Sequence, residues 1–274
     1  MLIIKAAGNA ASDDPIIAWS GMSTTAPATP AAAIISPSTA PATGIITSYD
    51  SDGFTLPNSA FSNASGTQYY WTAIAGSGSE LAIGNYTGDG ADDRDAISGL
   101  AFQPTACFIR RRNLNSVFLN YRISSMTGDT TYQLGNASGL IGNMIQQFNP
   151  DGVQIGNAGG VNGTAAVFDW IAFTPPVGYG TMGSYVGNGT DNSDLVSGLT
   201  FQPEFLLIKG NTNQECVLRT TAHSGDTATL LLNSTNNLPN RIQQFNSDGA
   251  QLGNTVQVNS AAVTYHYMAL RTTA

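Results

Sequence analysis

This chain copies itself. Gly84-Asn-Tyr-Thr-Gly-Asp-Gly-Ala-Asp92 returns as Gly183-Ser-Tyr-Val-Gly-Asn-Gly-Thr-Asp191, and Ser98-Gly-Leu-Ala-Phe-Gln-Pro104 as Ser197-Gly-Leu-Thr-Phe-Gln-Pro203, both at an offset of 99 residues. Ile145-Gln-Gln-Phe-Asn-Pro-Asp-Gly152 returns as Ile242-Gln-Gln-Phe-Asn-Ser-Asp-Gly249 at an offset of 97, and an earlier copy, Ile46-Thr-Ser-Tyr-Asp-Ser-Asp-Gly53, lies 99 residues before it. Trp71 and Asn63 likewise lie 99 residues before Trp170 and Asn162. Self-similarity at a fixed period marks one supersecondary unit used repeatedly. The 274 residues divide into a first unit at 1–78, a second at 79–176 and a third at 177–274. The first is incomplete. Its opening strand, Leu2-Ile3-Ile4-Lys5, matches Leu206-Leu207-Ile208-Lys209, and nothing before it answers to Gly-x-Tyr-x-Gly-x-Gly or Phe-Gln-Pro. A unit lacking its first strand or two exposes a sheet edge. The expectation is that a neighbouring subunit completes it, or that it lies at an interface.

Each unit reads as strands. Charged residues make up 10% of the chain, against about 25% in a typical soluble domain. The lysines are Lys5 and Lys209, and the glutamates Glu80, Glu204 and Glu215. Helices spend Glu and Lys on their wet faces, so their scarcity argues against helix. Abundant Gly, Asn, Ser and Thr suit strands and tight turns. Short apolar runs such as Phe108-Ile109 and Phe205-Leu206-Leu207-Ile208, then Val117-Phe118-Leu119 and Cys216-Val217-Leu218, are followed by the matching runs Gly128–Leu134 and Gly225–Leu231. Turn signals every 8–12 residues are the pattern of an all-β sandwich or barrel. The fold expected is therefore all-β: tandem, jelly-roll-like β-sandwich units. The Asp-Gly tetrads ending at Gly53, Gly152 and Gly249 read as hairpin turns, with Asx side chains closing them and Gly taking a positive φ. The Pro-, Thr- and Ala-rich run at 24–44 reads as an extended loop in place of the Gly-Asp-Thr strand, with an edge strand near Ile34-Ile35.

The last strand of each unit shows a pleat. Tyr69, Phe168 and Tyr265 align, as do Trp71, Trp170 and Tyr267, and between them lie Tyr70, Asp169 and His266. Period 2 puts the aromatic sets on one face, which reads as core, and the variable set on the other, toward water or a partner. Tyr70, Tyr179, Tyr185 and His266 are the candidate contacts for a glycan or a protein partner.

Net charge of −8 opposes binding to a phosphate backbone. The one basic cluster, Arg110-Arg111-Arg112, reads as a solvated strand end or an interface ion-pair partner. No apolar run approaches the ~20 residues of a membrane span, so neither nucleic acid nor membrane insertion is expected. Met1–Lys5 is too short for a signal-peptide core, so synthesis without a signal peptide is expected. Cys107 and Cys216 sit in apolar runs and read as buried thiols. His223 and His266 have no histidine at the equivalent place in the second unit and read as turn or surface residues. Asp89, Asp92, Asp93 and Asp95, with Asp191 and Asp194, form the acidic clusters that carboxylate-pair catalysis or Ca²⁺ would need, but their spacing departs from the EF-hand loop. A solvated polar turn fits them best, and no catalytic, cofactor or metal residue is assigned.

Gly183-x-Tyr185-x-Gly187-Asn-Gly-Thr190, then Gly198-Leu-x-Phe201-Gln-Pro203-x-Phe205-x-x-Ile208-Lys209, then Phe245-Asn-Ser-Asp-Gly249-x-x-Leu252-Gly253 and a closing aromatic strand resemble a tandem β-rich repeat of tailed-bacteriophage virion proteins, of the tail-fibre or tail-associated type. The second unit shares the pattern with Asp89 for the Asn and Arg110 for the Lys; the first shares it only from its third strand onward. The resemblance implies a non-enzymatic structural protein on the virion surface, made in the host cytoplasm: a tail fibre or tip, a baseplate-associated protein or a capsid decoration. Its partners would be other virion proteins and itself, as a homo-oligomer, with a trimer as the expected form. The alternative is an adhesin binding host surface glycans for host attachment.

Overall fold

The structure is a computed structural model that describes residues 1–7, 14–22, 32–35, 42–112, 118–226, 230–231 and 237–272. Residues 24–31 and 36–41 of the Pro-rich run, Val117 and residues 227–229 lie outside them. The described elements are strands, all paired antiparallel, and one single-turn helix.

The first unit supplies β1 (Leu2–Ala6), β2 (Ile16–Ala18), β3 (Ala33–Ile34), β4 (Ser48–Tyr49), β5 (Phe54–Thr55) and β6 (Tyr69–Ala73). They form a sheet in the order β3-β2-β1-β6 and a hairpin β4-β5. The second supplies β7 (Leu81–Thr87), β8 (Arg94–Ile97), β9 (Ala106–Arg111), β10 (Leu119–Ile123), β11 (Tyr132–Leu134), β12 (Ile145–Asn149), β13 (Gly152–Ile155), α1 (Gly159–Asn162) and β14 (Val167–Phe173). Its sheets run β11-β10-β9-β14-β7 and β12-β13-β8. The third supplies β15 (Gly180–Val186), β16 (Ser193–Val196), β17 (Phe205–Gly210), β18 (Val217–Thr220), β19 (Leu230–Leu231), β20 (Ile242–Asn246), β21 (Gly249–Leu252) and β22 (Thr264–Leu270), in sheets β15-β22-β17-β18-β19 and β16-β21-β20. The second and third units therefore share one strand order. Register agrees too: Ile4 pairs with Trp71, Ile109 with Trp170 and Ile208 with Tyr267. Among the described residues the first unit has no counterpart of β7 and β8.

Within each unit the large sheet packs on the small one. In the third, Ile208, Val217, Tyr265 and Tyr267 meet Val196, Ile242, Ala250 and Leu252. The aromatic positions of the last strand point into this layer, and burying a large apolar side chain there contributes about 1.5–3 kcal/mol. The opposite faces of the three large sheets meet one another. Ile3, Ile17 and Trp19 from the first unit, Phe108, Tyr121 and Ile171 from the second, and Leu207, Leu218 and Met268 from the third belong to one apolar cluster. Ile3, Phe108 and Leu207 are equivalent positions, so three copies of one sheet face surround a common core. This explains why β1, β9 and β17 are apolar almost throughout: both their faces are covered.

Two expectations change here. The variable face of the last strand packs against the other units of the same chain. Tyr70 stacks on His223 of the third unit with ring centroids 4.0 Å apart, and His266 bonds Ser125 of the second unit at 3.0 Å. Arg110 is not solvated. It shares its register position with Lys5 and Lys209, and all three are at most 1% exposed. Burying a charge demands acceptors, and the Lys209 ammonium finds them in the backbone carbonyls of Asn136, Ser138 and Gln214, with the Tyr132 ring beside it. Within the Pro-rich run, β3 is the edge strand as read, and Ile35 after it is buried in the common core.

The tetrads are hairpin turns as read, β4-β5, β12-β13 and β20-β21. Their glycines are there for a different reason. None has a positive φ. A Cβ on Gly152 would overlap the carbonyl oxygen of Ile97 in β8, and one on Gly249 that of Val196 in β16. Close approach of a neighbouring strand, not turn conformation, excludes a side chain.

Candidate functional site

A cleft lies where the three units meet. It holds about 640 Å³ and is lined by β6 and the segment after it, by Phe173–Pro176 and Tyr179, and by the chain around Glu204, Thr220 and Leu270–Thr272. One wall is the outer edge of β6. Because Ile74 bonds Met1 and Ala7 bonds Gln68, the inward backbone groups of this strand are those of residues 70 and 72. Those of Tyr69, Trp71 and Ala73 point outward, into the cleft. Trp71 is 56% exposed, whereas its equivalents Trp170 and Tyr267 are 9% and 7% exposed. Across the cleft the Arg271 guanidinium lies over Tyr179, 4.8 Å from its centroid. Glu204 accepts from the Thr272 amide at 2.7 Å, so one carboxylate is already engaged.

Of the four residues expected to touch a glycan or a partner, the cleft gathers two, Tyr70 and Tyr179. The other two are corrected. Tyr185 is buried, stacks on Tyr265 at 5.2 Å and donates to the Val258 carbonyl at 2.7 Å. His266 is buried between the second and third units, beside Ser125 and the Tyr132 ring. Reading Tyr185 as exposed failed because its strand alternates: the tyrosine faces the sandwich layer, while Val186 beside it is exposed. Sequence reading missed Trp71. Its signal was available, since Trp71 aligns with core aromatics in a unit that lacks the strand covering them.

Both histidines are buried, against their expected turn or surface placement. Burial lowers His223 to about 4 against a bond with Thr220 that raises it, and the Arg219 guanidinium adds a smaller lowering. Burial and then Arg122 lower His266 to about 4. Cys107 and Cys216 are buried free thiols, and burial pushes Cys216 up to about 12. Neither is a nucleophile in this state.

The aspartates serve turns. Asp89 accepts from the Ala91 amide at 2.9 Å and pairs with Arg94 at 3.3 Å, and the amide bond leads the causes that lower its pKa. Asp92 accepts from Gln146, and Asp95 from Asn149 at 2.6 Å. Among the described residues, no three His, Cys, Asp or Glu side chains converge as metal ligands would. Of the arginine cluster, Arg112 forms an ion pair with Asp169, which raises its pKa mainly through the hydrogen bond. Among the described residues no helix is long and apolar enough to cross a membrane.

Comparison with models of known families, with curated proteins and with solved structures finds no match.

Proposed function

We propose that this protein is a structural component displayed on the surface of a tailed-bacteriophage particle, working through interfaces and not through catalysis. One observation carries the reading: the residues that recur between units are spent on the scaffold. Asn162 and Asn259 are fully buried and clamp the turn after β7 and β15; the Asn162 amide donates to the Ala91 carbonyl at 2.7 Å and that of Asn259 to the Thr190 carbonyl at 2.7 Å. Asp151 and Asp248 accept from the amides of Gly99 and Gly198. Gly84 and Gly183 lie under Trp170 and Tyr267. A repeat whose shared residues hold turns and packing in place builds a rigid block, which is what a virion surface protein supplies. The repeat resemblance gives the setting. On this reading the unit is jelly-roll-like: its first and last strands pair in the large sheet, while its second and seventh pair in the small one. A tail fibre or tip, a baseplate-associated position and a capsid decoration all fit.

Homo-oligomerisation, with a trimer as its form, belongs to the same proposal. The three units already place three equivalent sheet faces around one core within one chain, so analytical ultracentrifugation must separate threefold assembly of chains from threefold packing of units. Location is tested by gold-labelled antibody on purified particles. Labelling at a fixed surface position is expected, and particles that lack the protein while the host cytosol contains it overturn the reading.

A glycan-binding adhesin is the second reading. The cleft favours it, because Tyr70, Trp71 and Tyr179 offer ring faces beside carboxylates. A glycan array with selective binding, lost in Trp71→Ala and Tyr179→Ala, would establish it.

A further inference from the structure

The first unit carries the footprint of two strands that its described residues do not supply. In the second unit, β7 pairs with β14 and β8 with β13; in the third, β15 pairs with β22 and β16 with β21. The residues that receive these strands are known by position. Trp170 and Tyr267 lie against Gly84 and Gly183, where a Cβ on Gly84 would come within 2.6 Å of the Trp170 ring. Asn162 and Asn259 clamp the following turn, taking the amides of Asp89 at 3.0 Å and Asn188 at 2.8 Å. Asp151 and Asp248 hold the loop after the second strand, whose residues Leu100 and Leu199 also donate their amides to the carbonyls of those aspartates at 2.9 Å. Gly152 and Gly249 make room for that strand's backbone.

The first unit keeps every one of these receivers. Trp71, Asn63, Asp52 and Gly53 stand at the four equivalent positions. Among the described residues, no strand lies on the outer edge of β6 or β5. Asn63, Asp52 and Gly53 are exposed, and a Cβ on Gly53 would meet nothing within 4 Å. Gly53 is informative because it has no turn conformation to explain it. Only an approaching backbone accounts for glycine at the other two sites. The apolar layer beneath is correspondingly thin: Tyr69, Phe54 and Leu56 are half-buried, whereas Phe168, Val153 and Ile155 at the same places are fully buried.

We propose that the open side of the first unit, along the outer edges of β6 and β5, is an acceptor for a strand–turn–strand segment donated by another polypeptide. The segment's pattern follows from the receivers: Gly opposite Trp71, a Tyr two residues later whose hydroxyl reaches the backbone near Ser62, Gly-(Asp/Asn)-Gly against Asn63, then a short strand passing over Gly53. Backbone bonds to Tyr69, Trp71 and Ala73 supply affinity, as in strand addition generally, and the demand for Gly opposite the indole supplies selectivity. The inference rests on the reading of the protein as an interface-forming block, and on nothing about the particle that it serves.

The probe is a synthetic peptide with the sequence of residues 77–104, which contains β7 and β8 and no tryptophan. Added to the full chain, it should bind with a Kd on the order of micromolar, the range expected when a disordered segment orders on binding. Trp71 emission should shift to the blue and lose its quenching by acrylamide, while Trp19 and Trp170, already buried, stay unchanged. The peptide with Gly84→Val should not bind. The Asn63→Ala chain, altered at an exposed side chain and so folded, should bind at least about tenfold more weakly, the loss of one charge-free clamp and its bonds. No binding of the unaltered peptide at about 1 mM, where interactions weaker than about 4 kcal/mol escape detection, overturns the proposal. So does a concentration-dependent dimer that shields Trp71 without peptide, which would make a second copy the occupant. Equal binding of the valine peptide overturns it as well, by removing the selectivity. None of these results bears on where the protein sits on a particle.

Discussion

At the scale of single residues, the two histidines are the side chains whose burial has the clearest consequence. His223 is enclosed by the Tyr70 ring, Thr220 and Arg219, and His266 by Ser125, Tyr132 and Arg122. Both are held near 4, against 6.5 in an unfolded chain. A histidine with a depressed folded pKa keeps the folded state uncharged while the unfolded state takes up a proton. Stability is then fully present above the unfolded pKa and is lost as pH falls from about 6.5 toward about 4. The Met1 ammonium, which burial lowers to about 6, adds to this slope chiefly above pH 6; between pH 6 and 5 it is protonated in both states and carboxylates titrate little, so the histidines dominate. Two protons differing between states give a slope approaching about 2.7 kcal/mol per pH unit near pH 5. Urea unfolding measured across this window should show it, and the His223→Gln/His266→Gln double variant should flatten it. A slope between pH 6 and 5 that survives the double variant would mean that neither ring is kept neutral by the fold.

Elements come next, and here sequence and structure agree most closely. The offsets of 99 and 97 residues located the strands, the hairpins and the missing opening of the first unit before any geometry. That was possible because a recurring Gly, Asn or Trp at fixed spacing marks a backbone constraint, whatever the constraint is. The nature of the constraint was not legible. Gly152 looked like a turn glycine, and its real cause, the Ile97 carbonyl, lies on a strand more than fifty residues away in the chain. The same missing strand sets the local stability of β6. Its outward amides at Tyr69, Trp71 and Ala73 have no ladder partner among the described residues, whereas those of Phe168, Trp170 and Ala172 lie between two strands. Hydrogen exchange followed by mass spectrometry should therefore show faster exchange over residues 69–73 than over 168–172, by orders of magnitude, because local opening needs no ladder to be broken there. Equal protection of the two segments would show that the β6 edge is already covered in solution.

The whole molecule is where pattern ran out. The alternation along the last strand showed two faces, and the conserved aromatic face was readable as core. What covers the other face depends on three sheets meeting, and no local pattern encodes that. The variation of Tyr70, Asp169 and His266 has a physical reason: each meets a different neighbour, His223, Arg112 and Ser125 respectively. Equivalent positions in a pseudo-symmetric assembly diverge where their surroundings do. The shared core also dictates how the chain unfolds. Phe108, with rings of Tyr121 and Phe173 stacked beside it at 5.6 and 6.3 Å, belongs to a cluster drawn from all three units. Independent domains would expose little when one of them melts, but here the loss of one unit strips an apolar face from the other two. Calorimetry should show one cooperative transition for the chain and not three. Phe108→Ala should cost about 3–5 kcal/mol and move that single transition downward as a whole. If instead the variant splits the profile and leaves a peak for the third unit at its original temperature, the common core does not couple the units, and each sandwich stands on its own inner layer.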